Sequence, residues 1–64
     1  MLVWGQGVAT GVGRTYYVGR HGTDEWFCRQ YSGSTLLKGT FADDEDGAKK
    51  QCQDWESANI KGKS

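Results

Sequence analysis

The sequence predicts an α+β domain: a three- to four-stranded antiparallel meander sheet (β-β-β-β-α) with one C-terminal helix packed on one face. Three observations carry this reading. Up to residue 41 the chain is a series of short aromatic and β-branched runs broken by Gly, Ser, Thr and Asp. Beyond residue 43 the apolar spacing changes to a helical one, with Ala48, Cys52 and Trp55 at i, i+4 and i+7. The connections between strands are too short for anything but antiparallel neighbours.

The elements follow in order. Residues 2–10 hold Leu2, Val3, Trp4 and Val8 and predict a first strand, made irregular by Gly5 and Gly7 and turning at Gly11-Val12-Gly13. Arg14 to Arg20 predicts the second strand, followed by a turn through His21-Gly22-Thr23-Asp24 in which Gly22 is free to take positive φ. Glu25 to Tyr31 predicts the third, Ser32-Gly33-Ser34 a turn, and Thr35 to Phe41 the fourth. Asp43 is the expected N-cap of the helix, with Asp46 three residues on. Asp43-Asp44-Glu45-Asp46 then sits on the positive end of the helix dipole. Ala58 extends the apolar stripe, while Lys49, Lys50, Gln53, Asp54 and Glu56 are expected on the wet face. Residues 1–60 are expected to form one domain, and residues 61–64, Lys-Gly-Lys-Ser, a flexible tail.

Size and composition narrow the functional classes. A chain of 64 residues buries only about 60% of its unfolded surface, leaving a thin core with little room for a deep catalytic pocket. Three Trp, three Tyr and two Phe give that core bulk. The net charge of zero offers no general attraction to polyphosphate or anionic membrane. No apolar run approaches a membrane span or a signal-peptide core. Cys28 and Cys52 are expected as buried thiols on core faces, a strand-to-helix bridge between them being left open. The expected location is the cytoplasm of a host cell.

No catalytic constellation, cofactor site or metal site is expected. One His and two distant Cys do not make a zinc site. The run from Ala42 to Gln53 matches a calcium loop at Asp44, Asp46 and Gly47 but lacks carboxylates at its first and twelfth places. Gly5-x-Gly7 and Gly11-x-Gly13 lack the third glycine and following helix of a dinucleotide loop. His21 is expected as a solvated turn residue without a nucleophile nearby, and the four acidic residues as capping and solvation.

Alternation along the strands is the informative feature. One set, Tyr16, Val18, Trp26 and Cys28 with Leu37, Gly39 and Phe41, is expected to face the helix. The other, Tyr17, Phe27, Arg29, Tyr31, Leu36 and Lys38, is expected on the outer face. Both sets are aromatic, and one helix covers only one of them. The outer set is the candidate partner-binding site, since exposed apolar patches mark docking surfaces and Tyr and Arg are enriched at their centres. The alternative is that the N-terminal segment, with Trp4, folds across and covers that face.

From Tyr16-Tyr17 through Trp26, Gly39-Thr40-Phe41, Asp43 to Asp46 and Ala48-Lys49, about two-thirds of the chain resembles short accessory proteins of phages and mobile elements. That resemblance implies a small non-catalytic protein-binding module, an inhibitor or adaptor acting on a host protein. The order of elements is also similar to the C-terminal part of double-stranded RNA-binding domains, but this chain has acidic residues where that family has phosphate-gripping lysines. The expected partner is therefore a host protein or a second copy of the chain, not a membrane or a small-molecule substrate. Single-stranded nucleic acid is the competing expectation, with Tyr17, Phe27 and Tyr31 stacking bases and Arg14, Arg29 and Lys38 tracking phosphates.

Overall fold

A computed structural model describes residues 2–62 of the chain. Four strands, β1 (Val8–Gly11), β2 (Arg14–His21), β3 (Glu25–Ser32) and β4 (Thr35–Ala42), pair antiparallel in the order β1-β2-β3-β4. The helix α1 (Glu45–Lys61) packs on one face of this open sheet. The α+β meander is as the spacing of turns and apolar residues predicts.

The first strand is shorter than residues 2–10. Gly5 and Val8 exchange two backbone hydrogen bonds, 2.9 and 3.0 Å, around Gln6 (φ 52°) and Gly7 (φ 81°). Two consecutive left-handed residues make the kind of tight reversal that matches the twist of a hairpin. Gly7 is required twice over, because a Cβ there would also collide with the Val18 carbonyl. The reversal carries Leu2 and Trp4 to the helix side of the sheet. There Leu2 is buried, its N–H donates to Gln53 Oε1 at 2.8 Å, and Trp4 packs against the core.

The helix begins one residue later than expected. Asp44, not Asp43, is the N-cap: its backbone is extended and its side chain accepts the Gly47 N–H at 2.6 Å. The far end runs past the expected boundary, with Lys61 helical and the Gly62 N–H donating to the Ala58 carbonyl at 3.0 Å. The rest of the expected tail, residues 63–64, lies outside the described residues.

Alternation places Ala9, Tyr16, Val18 and Cys28 on the helix side, where they meet Ala48 and Cys52 in the core, bounded by Trp4, Trp26, Ala42 and Trp55. Cys28 and Cys52 are free thiols, both fully buried. Burial, with the neighbouring Cys28 thiol adding to it, pushes the Cys52 thiol up to about 12.

In β4 the expected parity fails after Leu36. Tyr31 pairs with Leu36, but Gln30 pairs with Lys38, so Leu37 is an extra residue bulged against β3. One extra residue exchanges the faces of everything beyond it. Lys38 therefore lies on the helix side, its Nζ 5.8 Å from the centre of the Trp55 ring. Gly39 and Phe41, expected inside, pair with Arg29 and Phe27 and belong to the outer face. Thr40 turns inward instead, its Oγ1 2.8 Å from Cys28 Sγ and 2.6 Å from Gln51 Oε1.

Glu56, expected on the wet face of the helix, is 3% exposed. Its Oε2 accepts the Val12 N–H at 2.8 Å and its Oε1 the Tyr16 hydroxyl at 2.8 Å, with Asn59 Nδ2 at 3.3 Å. Gln30 Nε2 donates to the same Tyr16 hydroxyl at 3.1 Å, and Asn59 Nδ2 also reaches the Val12 carbonyl at 2.8 Å. Gly11 makes the approach possible, since a Cβ there would occupy the space of the carboxylate. This network ties the β1–β2 turn to the helix and leaves every buried side-chain N and O among the described residues with a partner.

Burial pushes the Glu56 carboxyl upward, but the hydrogen bonds from Val12, Tyr16 and Asn59 outweigh it and hold the group below its ordinary value. Burial, followed by the bond to Glu56, pushes Tyr16 up to about 12.

Candidate interaction face

The face of the sheet away from the helix is built from alternate residues of all four strands. Val8 and Tyr17 are cross-strand partners, as are Phe27 and Phe41, and Tyr31 and Leu36. Tyr17 and Tyr31 meet edge to face, ring centres 5.3 Å apart. Phe41 is contacted by the His21 ring at 5.1 Å, so His21 ends β2 on this face rather than sitting free in the turn.

One glycine shapes the surface. Phe27 lies over Gly19, where any Cβ would strike its ring. Arg29, two residues along β3 on the same face, has its guanidinium carbon 4.7 Å from the centre of the Phe27 ring. Tyr17, Phe27, Arg29, Tyr31, Gly33 and Ser34 line an open groove of about 520 Å³.

Of the six residues expected to form the site, Tyr17, Phe27, Arg29, Tyr31 and Leu36 share this face, and Lys38 does not. Sequence reasoning missed Val8, His21 and Phe41. The first belongs to a strand whose bounds the Gly5–Val8 reversal set, and Phe41 was displaced by the bulge. A cross-strand argument pairing Phe27 with Phe41 would have found the latter.

Among the described residues nothing covers this face. Tyr17 is 39% exposed, Leu36 51% and Phe41 57%. The N-terminal segment does not fold across it, because Leu2 and Trp4 pack on the opposite side, where Lys49 Nζ stands 5.8 Å from the centre of the Trp4 ring.

The cations expected to track phosphate, Arg14, Arg29 and Lys38, are dispersed. Arg14 donates to the Gly13 carbonyl at 2.9 Å at a turn, as does Arg20, a further cation of the sheet, to the Thr23 carbonyl at 2.9 Å. Lys38 is on the helix side, which leaves Arg29 alone in the aromatic groove.

Among the described residues no group of three or more His, Cys, Asp and Glu is placed to hold a metal ion. No helix among them is long and apolar enough to cross a membrane. Comparison with protein-family models, with curated proteins and with solved structures gives no match to the chain.

Proposed function

We propose that this is a small non-catalytic protein-binding module that docks its partner through the outer face of the sheet. One observation carries the reading: Val8, Tyr17, Phe27, Tyr31, Leu36 and Phe41 form a continuous apolar and aromatic surface that neither the helix nor the N-terminal segment covers. Exposing such a patch costs solubility, and contiguous patches of this kind mark partner sites. Tyr17 and Tyr31 are held against each other and Phe27 lies over Gly19, so little freedom of these side chains is lost on docking. The proposal extends to a cytoplasmic accessory role, an inhibitor or adaptor acting on a host protein, in line with the resemblance drawn from the sequence.

Capture from host lysate by the wild-type chain, by Phe41→Ser and by Lys50→Ser tests the reading. Phe41 is on the outer face and Lys50 is exposed on the helix. The reading requires a saturable partner that Lys50→Ser retains and Phe41→Ser loses. A partner retained by both variants refutes it. Sedimentation over a range of concentrations separates a foreign partner from a second copy of the chain.

A further inference from the structure

Within that reading, we infer the chemistry of the partner: a protein segment that brings a carboxylate, flanked by apolar side chains, into the groove beside Arg29. The inference rests on the docking face proposed above and adds what the groove selects.

Arg29 is the centre of the case. Its guanidinium carbon lies 4.7 Å from the centre of the Phe27 ring, a cation–π contact on the outer face. Among the described residues no hydrogen bond or ion pair reaches that guanidinium, so its N–H donors are unspent. A cation–π contact uses none of the N–H donors, which stay open to a carboxylate, a group that arginine binds through two parallel hydrogen bonds. The groove walls are apolar and aromatic, supplied by Tyr17, Phe27 and Tyr31. An apolar wall beside a single positive fork complements an acidic side chain set between apolar ones.

Phosphate tracking needs several cations along a line, and the other three of the sheet are turned to the helix side or held at turns. A carboxylate needs only one fork. This decides between the two occupants in favour of an acidic peptide.

The test uses the full chain and capped pentapeptides of alternating leucine and aspartate, with asparagine and lysine versions as controls, followed by heteronuclear NMR. The aspartate peptide is expected to shift the Arg29 side-chain N–H and the amides of Tyr17, Phe27 and Tyr31. It should bind about five-fold more tightly than the asparagine version, the margin of one solvent-exposed charge-assisted contact. Arg29→Gln should erase that margin, and Arg29→Lys should retain part of it, with the amide spectrum verifying that each variant is folded.

Equal shifts on this face from all three peptides overturn the carboxylate inference and leave the docking face standing. No shift on this face from any peptide overturns the inference and counts against the docking face as well. A thymidine oligonucleotide that shifts these resonances more strongly than the aspartate peptide overturns it in favour of nucleic acid.

Discussion

Removing the Glu56 carboxylate should strongly destabilise the domain, although the residue is charged and lies on a helix rich in exposed polar groups. In Glu56→Ala, the Val12 N–H and the Tyr16 hydroxyl lose their acceptor, and Asn59 loses one of two. A buried donor left unsatisfied costs about 1–3 kcal/mol, which applies in full to the Tyr16 hydroxyl and in part to the Val12 N–H, whose residue is half exposed, so the two together cost about 2–4 kcal/mol. A chain of 64 residues has a total stability of roughly 3–10 kcal/mol. The substitution therefore removes a large share of what holds the fold.

Glu45 supplies the contrast. It forms an exposed i,i+4 pair with Lys49 at 3.3 Å, and Glu45→Gln should cost no more than about 0.5 kcal/mol. Urea denaturation followed by tryptophan fluorescence at neutral pH reads both. A Glu56→Ala variant within about 1 kcal/mol of wild type would refute the network as a main support of the fold. The same network sets an acid limit. The Glu56 carboxyl is held below its ordinary value of 4.5, so its contribution is present above that value and disappears as pH falls through the folded value.

Two further outcomes follow from the same geometry. Tyr16 and Cys52 are both raised, from 10.0 and 9.0 to about 12, so the stability tied to their protonated forms is intact below the unfolded values and lost as pH rises through about 12. Shifts of this size correspond to about 3–4 kcal/mol for each group, so far-UV circular dichroism should show cooperative unfolding between about pH 9 and pH 12; a fold that persists above that range would contradict the burial of both groups. The consecutive tyrosines should behave oppositely: Tyr16→Ser should cost at least about 3–5 kcal/mol, since it empties a fully buried site, whereas Tyr17→Ser should cost about 1 kcal/mol in urea denaturation, and reversed costs would mean that the faces are exchanged.

Much of the fold was legible because it rests on local signals. The turn at Gly22 and that at Gly33 use positive φ, 78° and 63°, as their glycines announce. The stripe of Ala48, Cys52 and Trp55 places the helix against the sheet. What was not legible depends on distant partners. Gln6 in a left-handed conformation has no signature in residue type, and it converts the expected long first strand into a reversal plus β1. The Leu37 bulge has no local marker either; it is fixed by the pairing of Gln30 with Lys38 and by Thr40 reaching Gln51 on the helix.

Glu56 was misplaced because residue type was allowed to outweigh position. It stands four residues beyond Cys52, on the buried stripe, and its partners Tyr16 and Val12 lie 40 and 44 residues away. On the outer face, the alternation of β2 and β3 is uninterrupted, so Tyr17, Phe27, Arg29 and Tyr31 were legible, and only His21 at the end of β2 was not. The β4 half was read correctly only as far as Leu36.

Partner binding by this domain requires an open aromatic face that the partner closes. Tyrosine nitration, mapped by mass spectrometry on the free chain and on the captured complex, measures that most directly. Tyr17 and Tyr31 should react in the free chain and be protected in the complex, while Tyr16, fully buried and hydrogen-bonded to Glu56, should be spared in both. Equal reaction of Tyr17 and Tyr31 with and without the partner would contradict the account.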